Sequence, residues 1–247
     1  MEKGAGESIR QIFEQLDAWR HLPAYRLEPR ADVFFGLYMQ RVVEKRVDRD
    51  LHPVMIPELP LRRGTLFGEQ VKGRNASVKV DYALFTQQCD AVFLVELKTD
   101  QASRREGQDA YLLAAQSVGL AGIIDGILKI IRATSVQYRP KYLHLLARFE
   151  ELGLLRVPGE MYTAGNTDIL SYLTEVSITL PVSDPPMEVL YVQPQSVGAN
   201  NVIDFEEFAK GLPAKDPVAD VFREYLVRWR EPAGAERPRR ATGDDGA

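Results

Sequence analysis

Two periods of hydrophobic and polar residues run through the chain and predict its helices and strands. Apolar residues recur at three- and four-residue steps in amphipathic segments, which predicts helices at 8–22, 29–46, 139–152 and 216–230. Ser77–Phe85 alternates with period two instead, which predicts a strand with Val80 and Tyr82 on one face and Asp81 on the other. The next apolar run, 91–98, is apolar on both faces until its end and is typical of a central strand.

Shorter segments complete a predicted order of mixed helices and strands. The polar loop 86–90 is short enough to join its flanking strands as an antiparallel hairpin. Residues 103–106 have capping-box spacing and predict the start of a helix whose inner face carries Gln108 and Tyr111. Further predicted elements are a strand at 65–71, a late strand at 188–193, a short helix at 204–210, and a connection with an edge strand within 48–64.

Composition excludes several classes of protein. The 247 residues are 45% hydrophobic and 27% charged, as in globular proteins, and the net charge of −4 excludes a general polycation. The one cysteine, Cys89, excludes intramolecular disulfides and a multi-cysteine zinc site, and it indicates a reducing cytoplasm. The first residues contain no apolar stretch, and charges interrupt the most apolar window, 110–131, so neither a secretory signal nor a transmembrane helix is predicted.

Charged residues at the ends of the two central strands carry the candidate chemistry. Glu96 and Lys98 are two residues apart and project to one face, and the hairpin brings Asp81 across from them. Two carboxylates supply the hard oxygen ligands that Mg²⁺ prefers, and an adjacent lysine can hold a water molecule or stabilise developing charge. Gln108, on the following helix, can reach the same place. The set is suited to phosphodiester hydrolysis.

A simpler interpretation of the same residues is a surface ion pair. Glu-x-Lys occurs by chance in a chain with this many glutamates and lysines, and an exposed pair contributes about 0–1 kcal/mol. The position of Glu96-Leu97-Lys98 favours the functional interpretation, because the tripeptide ends an otherwise apolar strand. Charge beside a core is costly without a metal or another partner.

The segment Val80-Asp81-Tyr82, followed by Glu96-Leu97-Lys98 and then by a helix with Gln108 and Tyr111, resembles the PD-(D/E)xK nuclease superfamily. The resemblance covers roughly residues 65–118. It implies an α/β fold with a restriction-endonuclease-like core, in which helices flank a mixed central sheet in the order helix, three strands, helix, strand. Val80 replaces the proline that names the motif, and the Gln-x-x-Tyr spacing is one residue shorter than in exonuclease-like members.

The resemblance also implies roles for individual residues. Asp81 and Glu96 would bind Mg²⁺ or Mn²⁺, and Lys98 would act on the attacking water. Many members of the family carry a further acid in the first helix of the core. The candidates here are Asp32, which is preferred, and its rivals Glu28 and Glu44.

Basic residues near this segment favour DNA as the partner. The candidate DNA contacts are Arg74, Lys79, Arg104 and Arg105. Other basic residues of the first stretch are Arg62, Arg63 and Lys72. A second cluster, equally consistent with DNA contact and with a solvated helical face, contains Lys129, Arg132, Arg139, Lys141 and Arg148, with Tyr138 and Tyr142 between them.

These patterns predict an N-terminal helical segment at 1–60, a nuclease-like core at 61–230 with a helical insertion at about 119–187 and extra C-terminal helices, and a disordered tail at 231–247. The predicted function is a cytoplasmic, Mg²⁺-dependent nuclease that hydrolyses DNA and has no membrane association. The alternatives are a catalytically inactive nuclease-like module that binds nucleic acid or a protein, and an unrelated α/β protein with an accidental Glu-x-Lys. The DNA structure that is cut, and a monomeric or homodimeric state, are left open.

Overall fold

A computed structural model describes residues 2–100, 106–196 and 198–233 of the chain. The helices are α1 (Glu2–Trp19), α2 (Glu28–Val47), α3 (Arg63–Phe67), α4 (Glu106–Ala133), α5 (Pro140–Glu151), α6 (Ile169–Tyr172), α7 (Phe205–Gly211) and α8 (Pro217–Trp229). The strands are β1 (Ile56–Arg62), β2 (Ser77–Phe85), β3 (Val92–Leu97), β4 (Leu155–Arg156), β5 (Ser177–Ile178), β6 (Met187–Gln193) and β7 (Val202–Asp204). Short 3₁₀-helices lie at Val136–Tyr138 and Gly159–Tyr162.

A five-stranded mixed sheet with the order β1-β2-β3-β6-β7 forms the centre of the fold. The first three strands are antiparallel neighbours, whereas β6 and β7 run parallel to β3. Leu94 of β3 therefore pairs with Ala83 on one side and with Val189 on the other. Helices flank this sheet, so the protein is of the mixed α/β class. Strands β4 and β5 form a separate antiparallel pair.

Two apolar cores lie on opposite faces of the sheet. The α4-side core contains Leu94 of β3 with Ile124 of α4 and Phe149 of α5. The α2-side core contains Phe93 of β3 and the aromatic side chains of α1, α2, α7 and α8, among them Phe222. Successive residues of β3 thus point into different cores, as expected of a strand that is covered on both faces.

The sequence pattern predicts most of these elements correctly. The strand predicted at Ser77–Phe85 is β2, and its antiparallel hairpin with β3 is confirmed. The main helices and the late strand begin and end within a few residues of their predicted bounds, apart from α1, which begins at Glu2. Hydrophobic period and turn residues are sufficient for these elements because each has one clearly apolar face or is buried on both.

The strand predicted at 65–71 is wrong. Arg63–Phe67 forms the short helix α3, and the first strand of the sheet is β1, within the preceding connection. As an edge strand, β1 accommodates Pro57 and Pro60, because an N–H on its outer side would have no ladder partner. The boundary predicted between segments 1–60 and 61–230 falls inside β1.

The long helix α4 changes direction at Gly119, whose φ of 73° and ψ of 168° are not helical. By length and composition alone, Gly107–Ala133 is apolar enough to cross a membrane. However, 56% of its most apolar window is buried inside the protein, and α4 contacts β1 and β6. This is the burial expected of a core helix.

The structure describes most, but not all, of the other predicted segments. The insertion predicted at 119–187 contains the second half of α4, then α5, α6 and the β4–β5 pair. Helix α1 packs on α8, and α2 packs on α7, so the N-terminal helices contact the C-terminal ones. Residues 103–105 of the predicted capping box and residues 234–247 of the predicted tail lie outside the described residues.

Candidate active site

Four charged side chains converge at the carboxyl end of β3. Glu96 lies in β3, Lys98 directly follows it, Asp81 lies in β2, and Glu28 begins α2. The Nζ atom of Lys98 lies 2.9 Å from Oε1 of Glu96. The same atom lies 3.7 Å from Oε2 of Glu28 and 3.9 Å from Oδ2 of Asp81. The three residues predicted from sequence to form the site are therefore neighbours, grouped around the ammonium.

The β2–β3 hairpin opens where this cluster forms. Its ladder ends with Tyr82 opposite Val95, and Asp81 is the next residue of β2. Oδ2 of Asp81 accepts a hydrogen bond from the backbone N–H of Leu97 at 2.6 Å. The Asp81 carboxylate thus replaces the backbone carbonyl oxygen that would have accepted from Leu97 if the β2–β3 ladder had continued. This contact fixes the Asp81 side chain beside Glu96.

The two faces of β2 exchange at Asp81. Val80 and Ala83 both pack into the α4-side core, whereas Tyr82 packs into the α2-side core. The strict alternation predicted for this strand, with Val80 and Tyr82 on one face, is therefore wrong at this point. Strand β1 shares the irregularity, because Glu58 adopts a left-handed φ of 52° and the ladder omits the Glu58–Asp81 pair.

Two side chains of α4 contact the Glu96 carboxylate. Gln108 and Tyr111 are three residues apart and lie on one helical face. The Nε2 of Gln108 donates to Oε1 of Glu96 at 2.6 Å, and its buried Oε1 has no hydrogen-bond partner among the described residues. The Tyr111 hydroxyl lies 3.4 Å from both Glu96 oxygens and 3.2 Å from the carbonyl oxygen of Lys79. The Gln-x-x-Tyr spacing thus brings both side chains to the same carboxylate.

Burial raises the pKa of each carboxyl group in the cluster. Burial, followed by the nearby charge of Glu96, raises the pKa of Asp81 to about 7. Burial also raises the pKa of Glu96 and that of Glu28, against the opposing attraction of Lys98. Burial disfavours the charged form of Lys98, but the attraction of Glu96 and the other carboxylates outweighs it and raises the pKa of the ammonium. Lys98 therefore stays cationic, and further positive charge would stabilise the carboxylates.

Glu28, rather than Asp32, is the acid of α2 that joins the cluster. Helix α2 begins at Glu28, which puts its carboxylate against Lys98. Asp32, one turn later, accepts a hydrogen bond from the hydroxyl of Tyr82. Glu44 lies near the far end of α2 and accepts from the backbone beyond the helix at 3.2 Å. Of the three candidate acids, Glu28 is thus the one that contacts Lys98, and its place at the first turn, next to a proline, is the sequence signal for it. Which acid of α2 serves the site stays a prediction.

The four charged side chains differ in their exposure to solvent. The side chains of Glu96 and Lys98 are 2% and 4% exposed, whereas those of Asp81 and Glu28 are 22% and 36% exposed. Glu28 of α2 is therefore the most solvent-exposed member of the cluster. A cavity lined by Thr99, among other residues, adjoins this end of β3.

The predicted DNA contacts Arg74 and Lys79 lie on the surface. The Arg74 side chain is 59% exposed, and the carboxylate of Glu69 is 4.0 Å away. Lys79 is also exposed and pairs with Glu58, while its carbonyl oxygen faces Tyr111 of the cluster. The other two predicted contacts, Arg104 and Arg105, lie outside the described residues.

Arg62, from the same basic stretch, is part of the folded interior. Its side chain is 4% exposed, and its guanidinium donates to both carboxylate oxygens of Glu69, at 2.6 and 2.8 Å. It also donates to Oδ1 of Asn75. This arrangement ties the loop after α3 to the end of β1, so Arg62 is not positioned to bind phosphate.

The second basic cluster is partly structural as well. Arg139 is buried and donates to the carbonyl oxygen of Thr134 at 3.1 Å. Lys129 pairs with Asp125 at 2.8 Å, and Arg148 pairs with Glu151 at 2.7 Å. Three of the basic side chains of this cluster thus already have partners within the protein, which leaves them less available to a nucleic acid.

Asp81 and Glu96 are the candidate ligands for a divalent cation at this site. Within the parts of the chain that the structure describes, no three His, Cys, Asp or Glu side chains are already arranged as a metal site. Mg²⁺ commonly uses only one or two carboxylates and takes its other ligands from water and phosphate. Asp81 and Glu96 offer carboxylate oxygens of the kind that Mg²⁺ and Mn²⁺ take as ligands, and both carboxylates lie within 4 Å of the Lys98 ammonium.

Comparisons of the chain with protein-family models, with curated proteins and with solved structures find no match in any of the three.

Proposed function

We propose that this protein is a Mg²⁺-dependent nuclease that hydrolyses DNA phosphodiester bonds at the cluster around Lys98. The observation that carries the proposal is the meeting of Asp81 and Glu96, from adjacent antiparallel strands, around one buried lysine at the end of a central strand. Such charges are costly to bury, and this chain places three carboxylates there. A cluster used for stability alone would gain more from apolar side chains.

The order of elements supports a restriction-endonuclease-like core for this nuclease. Apart from the short α3 between β1 and β2, and the insertion of α5, α6 and the β4–β5 pair before β6, helix α2 is followed by β1, β2 and β3, then by α4, and then by β6, which lies beside β3 in the sheet. This is the order helix, three strands, helix, strand that the PD-(D/E)xK resemblance implies. The cluster lies on β2 and β3 of this unit, with Glu28 from its first helix and Gln108 from its second.

Each residue has a definable task in hydrolysis. Asp81 and Glu96 would hold Mg²⁺, which lowers the pKa of a water molecule and offsets the charge that develops on the phosphate. Lys98 donates hydrogen bonds to the attacking water or to a phosphate oxygen and thereby stabilises negative charge in the transition state. Gln108 and Tyr111 are positioning residues, because their contacts with Glu96 hold its carboxylate in place.

The proposed DNA path passes over the exposed basic residues beside the cluster. Lys79, two residues before Asp81 in β2, and Arg74, in the loop before β2, would supply the phosphate contacts, and Glu28 is the most exposed acid of the cluster. A cytoplasmic setting is part of the proposal, because Cys89 is a free, buried thiol that a reducing compartment preserves.

A cleavage assay tests the proposed function. Linear, circular and branched DNA are incubated with the protein and with Mg²⁺, Mn²⁺ or a chelator. We expect cleavage only with a divalent cation, and we expect Glu96→Gln and Lys98→Met to abolish it. Glu188→Gln is the matched control, since Glu188 is an exposed acid at the opposite end of β6; this variant should cleave like the wild type.

The same assay separates the nuclease from an inactive binding module. Salt-dependent DNA binding without cleavage under any divalent cation would favour the binding module. Cleavage that survives Glu96→Gln would contradict the site assignment.

A further inference from the structure

We infer that Lys98 couples the binding of the divalent cation to the binding of DNA. Without the cation, the ammonium of Lys98 pairs with the carboxylates of Asp81 and Glu96. When the cation binds these carboxylates, the ammonium pairs with a DNA phosphate instead. The inference rests on the proposed function, since it concerns the same carboxylates. It adds a regulatory role for Lys98 that precedes any chemical step.

The geometry of the ammonium carries the first part of this inference. Nζ of Lys98 lies 2.9 Å from Glu96 and 3.9 Å from Asp81, and it donates to the carbonyl oxygen of Leu97 at 2.6 Å, so the ammonium is held within reach of both carboxylates that would bind the cation. A second donor, Gln108, contacts the same Glu96 oxygen at 2.6 Å. Two cations this close repel each other strongly where solvent is excluded. Lys98 and a divalent cation therefore compete for the carboxylates.

Charge balance shows why the exchange is favourable. Three carboxylates face one ammonium, which leaves two negative charges uncompensated when all four groups are ionised. Among the described residues, no other cationic side chain forms an ion pair with these carboxylates. A divalent cation compensates the cluster more completely than the ammonium does.

The side chain of Lys98 also has a direction in which to move. Glu96 closes the cluster on the inside, whereas Glu28 is 36% exposed and lies 3.7 Å from Nζ. Rotation toward Glu28 therefore brings the ammonium to the more exposed side of the cluster, where bound DNA would present its phosphates. A displaced ammonium needs a new partner because burying it unpaired is costly, and a phosphate oxygen meets that need.

It follows that each ligand raises the affinity for the other. DNA that takes the ammonium frees the carboxylates for the cation, and a cation that takes the carboxylates frees the ammonium for DNA. Thermodynamic linkage requires the same factor in both directions. Removing the charge of Lys98 should abolish this coupling.

Mn²⁺ binding tests the inference without relying on activity. Free Mn²⁺ is measured by electron paramagnetic resonance, with and without a phosphorothioate DNA duplex, for the wild type, Lys98→Met and Lys210→Met. We expect DNA to tighten Mn²⁺ binding to the wild type by about 5–150-fold, the usual range of such couplings. Lys98→Met should bind Mn²⁺ tightly without DNA and gain little from it. Lys210→Met, which removes an exposed charge that pairs with Glu206 in α7, should resemble the wild type with and without DNA.

Each outcome has a defined meaning. If folded Lys98→Met binds Mn²⁺ no more tightly than the wild type, the inference is wrong, while Mn²⁺-dependent cleavage by the wild type would leave the proposed function standing. If the wild type does not bind Mn²⁺ in the presence of DNA and does not cleave DNA, both proposals fail. Circular dichroism checks the fold, and Lys98→Gln, which keeps hydrogen-bonding groups, replaces Lys98→Met if that variant unfolds.

Discussion

The carboxylate of Asp81 accepts a hydrogen bond from the backbone N–H of Leu97 at 2.6 Å, just beyond Tyr82 and Val95, the last paired residues of the β2–β3 hairpin. This contact joins a feature of the sheet to a feature of the site. It closes a gap in the backbone hydrogen bonding and also holds an acid beside Glu96 that is expensive to ionise, since its pKa is about 7.

Asp81→Asn should remove a pH-dependent loss of stability. The pKa of Asp81 is about 7 in the folded protein and about 3.9 in an unfolded chain, so the folded state binds more protons between these values. The stabilising contribution is complete below about pH 4 and is lost as the pH rises through about 7. Asparagine keeps an acceptor for Leu97 but does not titrate.

Urea denaturation without divalent ions checks this prediction. Between about pH 5 and about pH 8, the wild type should lose on the order of 1–2 kcal/mol more unfolding free energy than Asp81→Asn, after allowance for solvent screening. Parallel pH profiles for the two proteins would show that Asp81 does not carry the raised pKa.

Glu28→Gln and Asp32→Asn should separate the two acids of α2. Glu28 faces Lys98, so its amide variant should weaken Mn²⁺ binding by about tenfold, as loss of a supporting carboxylate does in other metal sites. Asp32→Asn keeps an acceptor for Tyr82 and should bind Mn²⁺ like the wild type. Titration of both variants decides the matter, and a reversed order would favour Asp32 as the accessory acid.

Tyr111→Phe should impair cleavage beyond its effect on stability. The change removes the hydroxyl shared between Glu96 and the carbonyl oxygen of Lys79, and it should cost about 0.5–1.5 kcal/mol of unfolding free energy. Tyr162→Phe is the matched control, because its hydroxyl donates to Glu150 far from the cluster in sequence. Both variants are compared by urea denaturation and by the rate of DNA cleavage. Equal cleavage rates would remove Tyr111 from the site.

Arg62→Met should lower the stability of the protein, whereas Arg74→Met should weaken its binding to DNA. Arg62 is buried against Glu69, so its loss should lower the unfolding free energy by about 1–3 kcal/mol without changing DNA affinity per folded molecule. Arg74 is exposed, so its loss should change stability by no more than about 0.5 kcal/mol. The Arg74 variant should bind DNA more weakly and with a shallower salt dependence. An unchanged salt slope would place Arg74 outside the interface.

The convergence of Asp81, Glu96 and Lys98 could be predicted from sequence because it depends on features that are local. Alternation and a short polar loop define a hairpin, and a hairpin fixes which residues face each other. The extent of β2 follows from the same pattern, and the predicted bounds of Ser77–Phe85 match the structure.

Other parts of the fold depend on contacts that no local pattern contains. The exchange of faces at Asp81 accompanies a left-handed Glu58 in the neighbouring strand, and glutamate has no local preference for that conformation. Glu28 and Asp32 are one helical turn apart, so periodicity cannot decide which of them meets Lys98. The burial of Arg62 depends on its pairing with Glu69 across the short helix α3, in a segment whose sequence resembles a strand.

The exchange of faces in β2 has a consequence for redesign. Because Val80 and Tyr82 pack into different cores, a shift of one residue would send both into the wrong environment. Apolar packing into the two cores therefore fixes the register of β2 independently of the charges that the strand carries. We therefore expect β2 to keep its register when Glu96 or Glu28 is replaced, provided that residue 81 keeps an acceptor for the backbone N–H of Leu97. Under that condition, this end of the sheet is a scaffold on which other catalytic groups can be placed.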